Sequence, residues 1–482
     1  MKDGSSADHV ARMLRESLSR YSVGDRLPSS RALREQYGVG PVTVSRAIAL
    51  LAAEGVVVSR PGAGVFRAAP PRRPAAGDLS WQEVALSAHP ASAPAAGAAG
   101  VTATLAPPPP GVIDLNGGYP AVALQPERAL AAALARAGRR PGTWGRPPLE
   151  GLPELRGWFA REIAGPEGLL TAADVLITTG GQAALTTALR SLAAPGAPVL
   201  VESPTYPGIL AVARTAGLRP VPVPLDRDGI RTDLLAEAFR ATGARLLVCQ
   251  PLYHNPTGAV LSAERRAETL RIARAAGAFV VEDDFARRLA HADAPPPPAP
   301  MAAHDPDGVV VHIASLTKAA SPSLRVAALA ARGPAMERLR ATHVVDSLFV
   351  PRPIQETALE LVAAPAWRSH LRRLAETLHR RRETLAAALR RELPRLPPPA
   401  LPYGGFHLWQ RLPDRADEGA LAAAALRAGV AVTPGRPYFP AEPPAPHLRL
   451  SIIAADSPEH LDEAARRLRA AAAAVASAPE IR

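Results

Sequence analysis

Lysine is nearly missing from this chain. Of its 56 lysine and arginine residues, only Lys2 and Lys318 are lysines. Cysteine is scarcer still: Cys249 stands alone, so no internal disulfide can form, and a reducing compartment is expected. No run of 18 or more apolar residues occurs, which argues against a helical membrane span. The opening stretch, MKDGSSADHVARMLRES, is polar and charged and lacks the apolar core of a secretory signal. These absences lead us to expect a soluble cytoplasmic protein with no membrane partner.

The 482 residues are too many for one ordinary domain of about 100–200 residues. The 47% hydrophobic content is ample for a core and excludes a wholly disordered chain. Formal net charge is +12. Because nearly every basic residue is arginine, background composition could produce that charge, so it says little by itself about nucleic acid. The same bias gives Lys318 more weight. A chain that avoids lysine yet keeps one deep in its sequence calls for chemistry arginine cannot supply: an amine that can lose its proton and form a Schiff base. A chance surface lysine is the plain alternative.

The text changes character twice. Residues 1–68 mix charges with apolar residues at helical spacing. Residues 69–112 are rich in Pro, Ala and Gly and read as a linker, interrupted by LSWQEVAL (79–86), where a short helix docking through Trp81 is expected. From 113 to 482, strand-like runs alternate with Ala/Leu/Arg-rich helical stretches, the pattern of a parallel α/β sheet. The last ~90 residues carry helix, strand and helix patterns expected to form a smaller α/β domain.

In the first unit, residues 8–20 form an amphipathic helix. LPSSRALREQYG (27–38) and PVTVSRAIALLAAEG (41–55) give two more, with Ser and Pro at their starts and Gly at their ends. VVVSRPGAGVFRA (56–68) reads as two strands joined by a PGAG turn. Three helices and a hairpin describe a winged helix. This stretch resembles the GntR-type DNA-binding domain in its LPS-x-R-x-L, its TV near the recognition helix start, and its G-x-G-x-F wing. The resemblance implies a double-stranded DNA partner, with Arg31, Thr43 and Gly62 at the contact surface. Gly40-Pro41 replaces the usual Ser-Arg, so Ser45 and Arg46 are expected to take over base reading near the helix start.

In the larger unit, several predicted strands end in polar groups, as a doubly wound sheet requires when its site lies beyond the carboxyl ends. DVLITTG (174–180) leads to Gly181, Gln182 and a helix N-terminus suited to phosphate. VLVESP (199–204) leads to Tyr206, LLVCQP (246–251) to Asn255, and FVVEDD (279–284) ends in carboxylates. VVVHIASL (309–316) is followed by Lys318, with Arg325 seven residues on. Singly, these are a turn, a packing aromatic, a helix cap and a solvated charge. Their order around the sole interior lysine instead supplies a phosphate cradle, an aromatic face, ring-directed polar groups and an amine, which is what pyridoxal 5′-phosphate requires.

Residues about 112–475 resemble the fold-type I aminotransferase domain through P-x-Y-P-G, NPTG, EDD, S-x-x-K with Arg seven later, and HLRLS. The resemblance implies that Lys318 bonds the cofactor, Asp283 holds the pyridine nitrogen protonated, Asn255 meets the ring hydroxyl and Tyr206 stacks on the ring. It assigns the phosphate to Gly181, Gln182, Ser315 and Arg325, and a substrate or effector carboxylate to Arg449. No metal is expected. Three residues depart from the pattern. Gly181 stands where relatives often have a hydroxyl, and Phe285 and Trp144 each stand where a Tyr is common. A winged helix, a linker and this domain in that order resemble the MocR family of transcriptional regulators. That resemblance implies a homodimer that binds DNA and senses pyridoxal phosphate or an amino compound. A working aminotransferase with an accessory winged helix is the rival reading, and a constitutive DNA-binding dimer without cofactor is a third.

Overall fold

A computed structural model describes residues 6–69, 81–82, 85, 94–165 and 168–477, which separate into two units, 1–90 and 91–482. The first contains α1 (Ser6–Ser17), α2 (Ser30–Tyr37), α3 (Pro41–Ala53), β1 (Val57–Arg60) and β2 (Gly64–Arg67). Local chemistry sets these limits. The Ser29 hydroxyl accepts from the Ala32 amide at 3.3 Å to cap α2, and Gly38, in the left-handed region at φ 62°, ends it. Pro41 occupies the first turn of α3, where its missing N–H costs nothing. Val10, Leu14, Leu33, Val44, Ala47 and Leu51 form the core between the helices.

The wing gains a third edge that the sequence reading lacked. Arg26 bridges to Phe66, and the Leu27 amide donates to the Val65 carbonyl at 2.8 Å. Gly64 is the tight glycine here: at φ 114°, a Cβ on it would stand 2.7 Å from the Arg26 guanidinium.

The second unit opens with α4 (Pro94–Leu105), which corrects part of the linker expected over 69–112. Its text, PAAGAAGVTATL, carries no charge and no large apolar stripe. Alanine is nonetheless the best helix former, and small residues permit close approach. A Cβ on Gly100 would lie 3.2 Å from Pro437 and 3.6 Å from Pro207. Of the expected 79–86 helix, Trp81 is 63% exposed rather than docked, and most of that stretch lies outside the described residues.

The remaining helices are α5 (Glu127–Ala137), α6 (Pro153–Ala164), α7 (Gly181–Leu192), α8 (Pro207–Thr215), α9 (Thr232–Thr242), α10 (Ala263–Ala276), α11 (Pro334–Ser347), α12 (Arg352–Ala363), α13 (Pro365–Glu392), α14 (Glu418–Arg427) and α15 (Pro458–Ala476). The strands are β3 (Ile113–Asp114), β4 (Val175–Thr178), β5 (Pro198–Ser203), β6 (Arg219–Asp226), β7 (Gly229–Ile230), β8 (Leu246–Cys249), β9 (Phe279–Asp284), β10 (Val310–Ser315), β11 (Ala327–Ala330), β12 (His407–Arg411), β13 (Val430–Ala431), β14 (Thr433–Pro434) and β15 (His447–Ser451).

The main sheet has eight strands in the order β4-β11-β10-β9-β8-β5-β6-β7. From β10 to β6 every pairing is parallel, whereas β11 runs antiparallel to both of its neighbours. Both faces are covered: Val175 and Ile177 enter one apolar cluster and Leu176 the other, the alternation of a strand buried on two sides. In β6 the three prolines sit at every second position, 220, 222 and 224. Arg219 donates its N–H to Ala197, so the inward-facing donors survive and the missing ones fall on the outer side. A second, antiparallel sheet, β12-β15-β14, forms the smaller C-terminal part.

Candidate functional site

Sheet topology gathers the polar strand ends. β4, β10, β9, β8 and β5 all point their carboxyl ends to one edge, where ligands bind in open α/β sheets. Reversed β11 begins at that edge, which brings Arg325 there ahead of Ala327. One pocket is lined by Gly181, Gln182, Tyr206, Asn255, Asp283, Ser315, Lys318, Arg325 and Arg449 together with Phe285. Every large-unit residue singled out from sequence is therefore in one place, except Trp144, which lies outside the pocket lining and is 84% exposed.

Lys318 is buried. Its Nζ donates to the Gly118 carbonyl at 2.8 Å and lies 3.9 Å from the Tyr119 ring centre. Burial, reinforced by the Arg449 charge, pulls its amine down to about 7, so a substantial fraction is neutral and nucleophilic at physiological pH. Strand alternation explains the acidic run. Asp283 faces the pocket, while Glu282 bonds His312 behind it at 2.8 Å and Asp284 pairs with Arg287. Burial pushes the Asp283 carboxyl up to about 6, against the opposing hydrogen bond that Gln250 donates to it at 2.7 Å. A cationic ring N–H would supply the missing counter-charge.

Arg325 holds a left-handed backbone, φ 46°, a conformation that costs a non-glycine residue about 1 kcal/mol or more. Its guanidinium donates to the Thr179 carbonyl at 2.9 Å. Gly180 sits at φ 97°, a backbone that side chains strain, and a Cβ on it would also stand 2.6 Å from that guanidinium, so glycine suits this position. The Tyr206 hydroxyl bonds Gln182 at 3.4 Å, and burial raises its phenol. Phe285 meets Phe406 edge-on at 6.1 Å and adds a hydrocarbon ring, without a hydroxyl, to the pocket lining.

Three buried polar atoms of the lining residues lack a hydrogen-bond partner: Asn255 Oδ1, Thr317 Oγ1 and Arg449 Nε. Such orphans are costly unless a ligand satisfies them. With a cation at each of two places, a carboxylate and an amine, this donor set fits a phosphorylated pyridine aldehyde and a carboxylate-bearing amine. Sequence reasoning gave no role to Gln250, Tyr119, Thr317 or the α4 residues Thr104 and Leu105. Gln250 and Thr317 carry the same strand-end signal as their neighbours, whereas α4 lies in text that reads as linker.

In the winged helix, Val44, Ala47 and Leu51 turn inward, leaving Val42, Ser45 and Arg46 on the outer face of α3. Thr43 is half-buried at its first turn. Arg31, in the first turn of α2, is exposed and pairs with Glu35 at 3.2 Å, an exposed contact worth ~1 kcal/mol or less. Gly62 lies exposed at the wing tip with φ 74° and open space around it. Val42 is 71% exposed, an apolar group on the outer face that sequence reasoning passed over.

The sequence matches the family described as aminotransferase class I and II over residues 110–468 and the bacterial regulatory proteins of the gntR family over residues 6–66. It is 32% identical to 2-aminoadipate transaminase of Thermus thermophilus, over 74% of this chain and 89% of that protein. It is 30% identical to the HTH-type transcriptional regulator TauR of Rhodobacter capsulatus, over 97% of both chains. The crystal structure of LysN, an alpha-aminoadipate aminotransferase from Thermus thermophilus complexed with N-(5′-phosphopyridoxyl)-L-leucine, superposes with a TM-score of 0.73. That match has 29% identity and covers 83% of this chain and 100% of that one.

By its large unit, the chain belongs to the class I and II aminotransferase family. With a GntR-family module ahead of that unit, it is a MocR-type transcriptional regulator, and pyridoxal phosphate is the cofactor of its large unit.

Proposed function

We propose that this regulator binds double-stranded DNA through Arg31, Thr43, Ser45, Arg46 and Gly62, and that an amino compound captured at its cofactor site, or pyridoxal phosphate itself, changes that binding. The observation that carries the reading is Lys318, the chain's sole interior lysine, placed with Asp283 and Arg449 in one pocket on a chain that also holds a DNA reader. Pyridoxal phosphate, when bound, supplies an electrophilic aldehyde carbon and an electron-withdrawing ring. Lys318 would present its amine towards that group. Asp283 would hold a proton on the ring nitrogen, and Asn255 and Tyr206 would help to hold the ring. Gly181, Gln182, Ser315 and Arg325 would hold the phosphate, and Arg449 would take the carboxylate of the arriving amine.

Phe285 offers no hydroxyl to the ring, which favours sensing over rapid turnover. A homodimer fits the exposed apolar side chains of the large unit. Trp144 follows Thr143, which bonds Glu356 on α12 at 2.7 Å, and Leu348, 60% exposed, lies just before that helix. Exposed apolar side chains of this kind suit contact with a second copy of the chain. The site is tested by borohydride reduction of protein incubated with pyridoxal phosphate, followed by peptide mass spectrometry. An adduct on Lys318 is expected, and its absence from folded protein overturns the cofactor assignment. DNA affinity is then measured with and without a panel of amino acids. A response that disappears in Arg449→Ala supports sensing; rapid conversion of the cofactor to its amine form supports the transaminase instead.

A further inference from the structure

Helix α4 ends on the pocket, and its hydrogen bonds lead to the residue assigned to the effector carboxylate. Thr104 and Leu105, its last two residues, line the same cavity as Lys318 and Arg449. The Asn116 side-chain amide donates to the Ala103 carbonyl at 2.5 Å, satisfying one of the carbonyls that a helix end leaves free. The other side of that amide accepts from the Thr433 hydroxyl. The Asn116 backbone carbonyl accepts from Arg449 Nη2. Asn116 thus touches α4 with its side chain and Arg449 with its backbone.

Two properties make this connection responsive. Arg449 is only 2% exposed, yet its Nε has no partner, so part of its bonding capacity awaits a ligand. A carboxylate gripped side-on uses Nε together with Nη2, the atom that now bonds Asn116. Helix α4 is also weak by itself. It has twelve residues, a length at which isolated helices are marginal. It carries two internal glycines, each costing about 1 kcal/mol against alanine, and no charged residue. It is held by docking, with Gly100 close to Pro207 and Pro437. Small changes at its anchored end therefore bear on whether it stays docked.

We infer that Asn116 is a positioning residue that reports carboxylate capture at Arg449 to helix α4, the element by which the chain enters the large unit after the stretch that follows the winged helix. This rests on the sensing function proposed above and adds the regulatory connection within it.

The test uses full-length protein loaded with pyridoxal phosphate. L-alanine presents an amine and a carboxylate with a minimal side chain, whereas n-propylamine presents the amine alone. Occupancy is read as loss of the borohydride-trapped adduct on Lys318, and α4 is read by hydrogen exchange of peptides spanning 100–105. The expected result is that both probes lower the Lys318 adduct, but only L-alanine alters α4 exchange several-fold. In Asn116→Ala, L-alanine should still lower the adduct while α4 exchange no longer responds. Thr433→Val, which removes the hydroxyl orienting the Asn116 amide, should weaken the response in the same direction and guards against a folding defect in the first variant. Loss of adduct with unchanged α4 exchange overturns the relay alone, as does an equal response to n-propylamine or an undiminished one in Asn116→Ala. If neither probe lowers the adduct, capture of an amine at this site fails, and the relay with it.

Discussion

The two units place their working residues in opposite environments. In the winged helix, Arg31, Ser45 and Arg46 stand exposed on helices whose inner faces form the core. They need only reach a polyanion, and water is no obstacle to that. In the large unit, Lys318, Asp283 and Arg449 are buried or nearly so, and burial moves the first to about 7 and the second to about 6. Chemistry on an amine needs a neutral nucleophile and a ring-directed carboxylate, and desolvation prepares both groups. Binding DNA asks for charge kept in water; holding the cofactor asks for charge taken out of it.

Cross-substitution breaks this comparison most sharply. Lys318→Ala should abolish the borohydride-trapped adduct, because no other lysine among the described residues can replace it, while Arg46→Ala should leave trapping on Lys318 unchanged. Peptide mass spectrometry of both proteins decides this. An adduct persisting elsewhere in Lys318→Ala would remove the lysine from its assigned role.

The next effect belongs to the exposed side. Arg46→Ala should weaken DNA binding by about 1–3 kcal/mol if Arg46 reads a base edge. A phosphate contact at Arg31 or Arg46 would instead lower the slope of affinity against salt by about one unit. Fluorescence anisotropy across a salt series separates the two. Unchanged affinity in both variants would displace the recognition surface from the outer face of α3 and the first turn of α2.

How much of this was legible follows the same division of environments. Strand ends and the recognition helix announce themselves, because period-two and helical spacing place apolar residues on fixed faces and leave polar groups at fixed exits. The expected strands at 199–204, 246–251 and 279–284 correspond to β5, β8 and β9 to within two residues. Helix α4 was not legible, since an Ala/Gly segment has no amphipathic stripe and its partners, Pro207 and Pro437, are more than a hundred residues away. Strand β11 was equally hidden: AALA has no alternation, and its antiparallel direction comes from its neighbours. Asn116 gave no signal, as its importance lies wholly in what it touches.

Burial of Lys318 also predicts a pH effect on the cofactor-free protein. The folded state lowers this pKa from 10.5 to about 7. Below pH 7 the amine is charged in both states and its burial cost is fully felt. As pH rises from 7 towards 10.5 the folded protein holds fewer protons than the unfolded chain, and the cost is progressively relieved. Lys318→Met should therefore stabilise the cofactor-free protein, more at pH 6 than at pH 9. Denaturant melts at the two pH values check the sign. An equal gain at both would mean that the amine is not desolvated.

The smallest expected effect sharpens the comparison by improving the buried site. Gly181 opens α7 at the cradle, and a Cβ there would meet Ser315 at 3.9 Å and Ile313 at 4.0 Å, ordinary contact distances. Its backbone is not in the left-handed region, so a side chain imposes no strain. Gly181→Ser should add a hydroxyl donor beside the phosphate and remove the flexibility of a helix-start glycine. One hydrogen bond to a charged group is worth about 1.5–3 kcal/mol at best, and displaced water offsets much of it, so pyridoxal phosphate should bind a few-fold more tightly. Equilibrium dialysis of both proteins measures the difference. Weaker binding would mean that the phosphate approaches this backbone closely enough to exclude even a small side chain, which would make Gly181 a requirement of the cradle and not a vacancy in it.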